Sequence, residues 1–300
     1  MKQLRSKVVV DGLIFPEGIR WAQGKIWFSD ILDFTVYAYD PRTGATAVVV
    51  ETPLRPSGLG FTPDGRLLIA AWERTLYRLD PDGLTVVAEF GDICSQTNDM
   101  VVDGAGRAYI DYYLGNPVSD HAAGQRKGGL LAVEPGGETR IVADGLRAPN
   151  GMGVTADGAT LLVNDTDTIF AFDVKPNGDL ANRRVFAPVG GDGLCLDVEG
   201  AAWVGGRTPG GERAFVRVLE GGEVTHAVPA PGCGMHAIAP VLGAPDRRTL
   251  YGCVHHWDLD GLLALVGDID APRKAANARE VSQGWIYAAE GIEVPGGGWP

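Results

Sequence analysis

Glu17-Gly18, then Gln23-Gly24-Lys25-Ile26-Trp27-Phe28, reads as a polar residue with glycine, a turn, and an apolar strand; the phrase returns along the chain. The second copy is Ser57-Gly58 with Asp64-Gly65-Arg66-Leu67-Leu68-Ile69, the third Asn98-Asp99 with Ala105-Gly106-Arg107-Ala108-Tyr109-Ile110. Asn150-Gly151 precedes Asp157-Gly158 and Leu161-Leu162-Val163, and Asp192-Gly193 precedes Glu199-Gly200 and Ala202-Trp203-Val204. The sixth copy is degenerate: Met235-His236, then Asp246 and Thr249-Leu250-Tyr251. Counted from Gly18, Gly58, Asp99, Gly151, Gly193 and His236, the spacings are 40, 41, 52, 42 and 43 residues. Such a period with strand–turn–strand content predicts one four-stranded propeller blade per repeat.

A second phrase supports the count. Val36-Tyr37-Ala38-Tyr39-Asp40-Pro41, Leu76-Tyr77-Arg78-Leu79-Asp80-Pro81, Leu130-Leu131-Ala132-Val133-Glu134-Pro135 and Ile169-Phe170-Ala171-Phe172-Asp173 are strands that end in turns. Lys7-Val8-Val9-Val10 has no hairpin partner of its own, so it is expected to be the outer strand of the last blade. Trp285-Ile286-Tyr287-Ala288 would be the third strand of that blade. The fold expected is all-β: one six-bladed β-propeller domain over residues 1–300, its ring closed by the N-terminal strand. The 43 glycines and 19 prolines suit so many turns.

A net charge of -12 makes nucleic acid and anionic membranes poor partners. Cys94, Cys195, Cys233 and Cys253 form no C-x-x-C pair, so they read as small buried hydrophobes. MKQLRSKVVVDGL holds no long apolar segment of a signal peptide, and no apolar run is long enough to span a bilayer. A cytoplasmic location is the expectation, with a monomer or weak oligomer.

In a propeller the innermost strands all start at one end of the central channel, so equivalent repeat positions converge. Those positions read Glu17, Ser57, Asn98, Asn150, Asp192 and, at the degenerate repeat, Met235 or His236. Grouped carboxylates repel unless a cation lies between them. Glu17, Asn150 and Asp192 would offer two negative charges and a neutral oxygen to one hard divalent cation. Asn-Gly and Asp-Gly are also strong turn dipeptides. The ordinary turn slot, however, is seven residues further on, at Asp64-Gly65 and Asp157-Gly158.

Four segments in register resemble the SMP-30/gluconolactonase/LRE-like family over nearly the whole chain. They are Phe15-Pro16-Glu17-Gly18, Asn98-Asp99-Met100-Val101-Val102-Asp103, Pro149-Asn150-Gly151-Met152 and Gly191-Asp192-Gly193-Leu194-Cys195-Leu196-Asp197. The resemblance implies a six-bladed propeller with a divalent metal at Glu17, Asn150 and Asp192, Asn98 beside the metal or touching substrate, and lactone hydrolysis. It also implies a base role for Asp192. Two positions depart from the family's pattern. Gln96 stands where sugar lactonases carry an arginine, and Met235 to Gly243 replaces a glycine-rich stretch of blade six.

Second strands return to the same mouth. Their ends are Asp30, Trp72, Asp111 to Tyr113, Asp165, Arg207 and His255-His256-Trp257. Walls of Trp72, Tyr112, Tyr113 and Trp257 predict a flat or apolar ligand. His236, His255 and His256, with Ser57 and Asn98, are further candidate contacts, and one of the histidine pair could be a base. Long connections at about 114–127, which contains His121, and about 258–283 predict lids. The activity expected is metal-dependent opening of an aromatic or apolar lactone, with Ca2+ first among Mg2+, Mn2+, Zn2+ and Fe2+ as the ion. Non-hydrolytic carbonyl chemistry (lyase, isomerase or hydratase) at the same site is an alternative, and a non-catalytic binding propeller a second.

Overall fold

The computed structural model describes residues 1–116, 120, 123–125, 127–232, 234–266 and 275–298. They form six four-stranded antiparallel sheets around an axis. Blade one runs Pro16–Ala22, Lys25–Asp30, Thr35–Asp40 and Ala45–Glu51 from the axis outward, and blade two Pro56–Phe61, Leu67–Ala71, Thr75–Asp80 and Gly83–Glu89. Gln96–Val102, Pro149–Val154, Gly191–Leu196 and His236–Gly243 are the inner strands of blades three to six. Blade six takes its third strand from Ser282–Ala289 and its outer strand from Lys7–Leu13, which pairs Lys7 with Ala288 and Val10 with Ile286. That is the closure the sequence predicted. One addition was not predicted: Lys2–Gln3 adds a parallel pair to the outer strand of blade five, Val224–Pro229. Among the described residues no helix is long and apolar enough to cross a membrane.

The alternation of apolar residues in each strand places them between neighbouring blades, where the core lies. Phe28, Ile26 and Ile19 of blade one meet Ile286, Cys253 and Val10 of blade six. Tyr109 and Val101 of blade three meet Leu161 and Met152 of blade four. Each of the six joints has its own apolar cluster, so each blade is stable only against its neighbours.

All six inner strands carry a bulge at the same height. Register breaks between Glu17 and Arg20, Pro56 and Leu59, Thr97 and Met100, Asn150 and Met152, Gly191 and Leu194, and Ala237 and Pro240. A bulge leaves residues out of the ladder and re-aims side chains. It also brings backbones together. A Cβ on Gly18 would lie 2.1 Å from the Ser57 carbonyl oxygen, and one on Gly151 would lie 2.4 Å from Gly193 Cα. Both glycines also sit at positive φ, +57° and +61°.

A carboxylate at or just beyond the end of the second strand fixes the entry to three inner strands. Asp30 accepts the amides of Ile14 and Phe15 at 2.8 Å each, Glu73 that of Arg55 at 2.8 Å, and Asp165 those of Arg147 and Ala148 at 3.0 and 2.7 Å. Pro16, Pro56 and Pro149 then open the strands. Burial pushes the Asp30 carboxyl up to about 6 despite these two amides.

Gly18→Ala combines a backbone clash with strain and should cost about 3 kcal/mol in urea unfolding. Gly12, also at positive φ but with open space around it, isolates the strain: Gly12→Ala should cost about 1 kcal/mol. Equal losses would mean that the axial contact contributes nothing.

Candidate active site

The bulges set the polar ring. Gly18 abuts Ser57 and Leu59, Gly58 abuts Asp99 and Met100, Gly151 abuts Gly193, and Gly193 abuts Ala239. The residues preceding this contact level are Glu17, Ser57, Asn98, Asn150, Asp192 and Ile238. The sixth position is therefore Ile238, neither Met235 nor His236. Its strand has an apolar pair, Ile238-Ala239, where the others have a polar residue with glycine or aspartate, so no turn dipeptide marked the register.

Charge is concentrated at this end of the channel. Glu17 is buried, and its carboxyl is held well above the usual range first by desolvation and then by Asp192 and Asp99. Its Oε2 accepts the neighbouring Gly18 amide at 3.2 Å. Arg20 crosses from blade one to Asp99 at 3.0 Å and also donates to the carbonyls of Ile19 and Met100. Three carboxyl groups, Glu17, Asp99 and Asp192, thus lie near the Arg20 guanidinium. Burial, then Glu17, raises the Cys253 thiol, which therefore stays protonated and adds no charge. Among the described residues no three His, Cys, Asp or Glu side chains gather as a metal site. The groups that could hold a metal here are Glu17 and Asp192 with the carboxamide of Asn150, and their hard oxygens suit one divalent cation.

Asn98 is fixed in orientation. Its Oδ1 accepts from Trp72 Nε1 at 2.9 Å and Ser57 Oγ at 2.8 Å. An indole N–H can only donate, so the carboxamide oxygen must face Trp72 and the NH2 is the end available to a ligand. Ser57 is thereby a positioning residue, itself held through its carbonyl by Ser29 Oγ at 2.6 Å.

The expected walls are only partly present. A cavity of about 680 Å³ opens beside Asp192 between blades four, five and six, lined also by His236, Ile238, Trp257, Arg207 and Arg213. The rings of His236 and Trp257 stack at 4.1 Å. Tyr112 does not reach this mouth: it is in the core between blades two and three with Phe90 and Cys94. Tyr113 is fully buried and donates to the Pro149 carbonyl at 2.7 Å. Both faces of a blade look toward neighbouring blades, and adjacent residues on one strand take opposite faces. Neither tyrosine therefore points down the channel.

His255 is no candidate base. It is fully buried against Phe15, its Nε2–H donates to the Pro16 carbonyl at 2.5 Å, and burial drives its pKa down to about 3. His256 is exposed and packs near Gly234 outside the main cavity. His121 lies outside the described residues. Of the connection at 258–283, the helix Leu259–Val266 and the turn of helix Ala278–Val281 are described; 267–274 lie outside. Leu262, Val266 and Ala278 pack on Phe15, Ile31, Leu32 and Trp72, a roof over blades one and two. Buried Arg55 ties it down: it pairs with Glu73 at 2.5 Å, lies 5.4 Å over Trp72, and donates to the Val266 carbonyl at 3.1 Å. In the other connection residues 117–119, 121, 122 and 126 lie outside the described set.

The family model for the SMP-30/gluconolactonase/LRE-like region matches residues 15–255. The chain belongs to this family. Among SMP-30-like proteins, the pentonolactonase of Haloferax volcanii is 27% identical over 266 residues, 85% of this chain and 87% of that protein. Regucalcin of Agrobacterium tumefaciens, a calcium-binding protein, superposes with a TM-score of 0.75 at 20% identity, covering 100% of this chain and 98% of that one. The gluconolactonase of Xanthomonas campestris gives a TM-score of 0.70 at 20% identity over 97% and 89%. These likenesses extend the SMP-30 fold across the whole ring.

Ionised Glu17 opposes folding of the metal-free protein, because its folded pKa lies above the unfolded one. The stability held by the protonated form is present below about pH 4.5 and is lost as pH rises through the folded pKa. Glu17→Gln should therefore raise the melting temperature of chelator-treated protein at about pH 8 and flatten its decline with pH. A lower melting temperature in this variant would contradict the crowding of charge described above.

Proposed function

We propose that the protein hydrolyses a lactone with the help of one divalent cation held by Glu17, Asn150 and Asp192. The observation that carries the reading is the crowding of Glu17 and Asp192 at the channel mouth beside a cavity. The lactonases among its relatives support the reaction, and the calcium-binding regucalcin among its structural relatives supports Ca2+ as the ion. A hard dication there would polarise the carbonyl and acidify water.

The chain's own groups have separate parts. Asp192, on the cavity wall, takes the proton of the attacking water, and its carboxyl returns that proton to the ring oxygen as the acyl C–O bond breaks. Asn98 Nδ2–H donates to the substrate oxygen on which negative charge grows. Its orientation is fixed in advance by Trp72 and Ser57, so it needs no reorganisation. The stacked Trp257–His236 face receives the flat side of the ring. Burial, then Arg213 and Arg207, lower His236 to about 4, so it is neutral at working pH and acts as a surface rather than an acid. Without Tyr112 and Tyr113, the aromatic wall no longer demands an apolar substrate. A sugar lactone, like those of the named relatives, fits this reading as well as an aromatic one.

The test is acid release by pH-stat from sugar, aliphatic and aromatic lactones, with Ca2+ and with chelator. Chelator-sensitive turnover is expected, with kcat lowered about 100-fold or more in Asp192→Asn. Asn98→Leu should lose about 10- to 100-fold. Full activity in Asp192→Asn would sink the mechanism. Ca2+ that raises the melting temperature with no turnover would move the site to non-hydrolytic carbonyl chemistry or to binding.

A further inference from the structure

We propose that His255, Tyr113 and Asn164 are positioning residues of the cation site, each holding the carbonyl that immediately precedes one of the three proposed ligands, Glu17, Asn150 and Asp192. This role rests on the cation half of the reading above and not on hydrolysis. Pro16 precedes Glu17, and its carbonyl accepts from His255 Nε2 at 2.5 Å. Pro149 precedes Asn150, and its carbonyl accepts from Tyr113 Oη at 2.7 Å. Gly191 precedes Asp192; its carbonyl accepts from Asn164 Nδ2, and its amide donates to Asn164 Oδ1 at 2.9 Å. All three side chains are at most 1% exposed. Each belongs to the second strand of the blade before the ligand's own.

Repeat symmetry alone does not produce these three bonds. In register Tyr113 faces Gln96 and His255 faces His236, each two residues before the ring position of its blade, whereas Asn164 faces Asn150, the ring position itself. A phenol, an imidazole and a carboxamide at two heights thus reach the same backbone atom. At the other three ring positions the contact takes another form. Ser29 donates to the carbonyl of Ser57 itself, Trp72 donates to the Asn98 side chain, and blade five meets Ile238 with Gly205, which has no side chain to donate. The approach at Pro16 is also built for closeness: Gly284 stands opposite His255, and a Cβ there would lie 2.1 Å from Pro16 Cδ. Every backbone donor and acceptor from the Ile14 amide to the Pro16 carbonyl is engaged, by Asp30, Ser282, Ile31 and His255. Glu17 and Asp192 are close enough to repel each other. A bond one peptide unit upstream of each holds its strand against that repulsion, so little ordering is left to be done when an ion enters.

The experiment measures Ca2+ affinity by competition with a chromophoric chelator, in the parent chain and in variants that lose one donor. Tyr113→Phe deletes a single hydroxyl and keeps the ring, so the fold is spared; its Kd for Ca2+ should rise about 10-fold, and that of His255→Phe about 10- to 100-fold. His255→Gln, which keeps an N–H donor, should recover most of the loss. Tyr109→Phe is the matched control. Tyr109 is as buried, lies on the same strand as Tyr113, and donates to the Gly178 carbonyl at 3.0 Å, a bond that touches no ring residue. Its loss should lower the melting temperature of chelator-treated protein and leave the Kd for Ca2+ unchanged. Equal Ca2+ affinity in Tyr113→Phe, His255→Phe and Tyr109→Phe would overturn the positioning role and leave the cation site standing. A parent chain that takes up no Ca2+ would overturn both. A chain that binds Ca2+ with the expected losses and opens no lactone would bear out the positioning role and remove hydrolysis alone.

Discussion

Six inner strands meet at the axis so closely that neighbouring backbone stands where Gly18, Gly58, Gly151 and Gly193 would carry a Cβ. That crowding is possible only because each strand bulges at the same height. The bulge takes one or two residues of each strand out of the ladder, at or next to the ring position. Chain segments hundreds of residues apart in sequence thus supply one small, nearly rigid ring of polar groups. The joints between blades, filled with apolar side chains, keep the ring from relaxing, so Glu17 and Asp192 cannot move apart to relieve their repulsion.

This rigidity explains how the site divides its labour. Charge sits where the backbone is least able to yield, and polar groups beside it are tied one to the next: Ser29 to Ser57, Ser57 and Trp72 to Asn98. The helices Leu259–Val266 and Ala278–Val281 pack on Phe15 and Trp72 over blades one and two. The cavity beside Asp192 lies on the other side, between blades four, five and six, where Trp257 and His236 line it. Arg55 joins the roof to the ring through a single buried side chain, which links roof position to the Trp72–Asn98 contact.

The blade count, the closure by Lys7–Leu13 and five of the six ring positions were legible in the sequence, because each carried a turn dipeptide or a period. Blade six was not, since Ile238-Ala239 offers no polar mark. Side-chain direction was harder. Trp257 was placed correctly at a strand end, whereas Tyr112 and Tyr113 lie two and one residues inside theirs, and period-two alternation sends them between blades. His255 looked like a reactive histidine, but burial against Phe15 and a single carbonyl made it structural. The carboxylate clamps at Asp30, Glu73 and Asp165 could have been found from their recurrence downstream of Pro16, Pro56 and Pro149.

The strand that closes the ring pairs Lys7–Leu13 with Ser282–Ala289, partners separated by almost the entire chain. During synthesis the first strand therefore emerges with Val8, Val9 and Val10 and must wait, unpaired, until nearly everything else has been made. Blades one to five can assemble in order on their local hairpins, but the last joint is a long-range event with a large entropic cost of closure. An open ring offers an exposed β-edge to any other unfinished chain. The parallel addition of Lys2–Gln3 to blade five shortens that interval, because it docks the waiting segment beside the place where blade six will form.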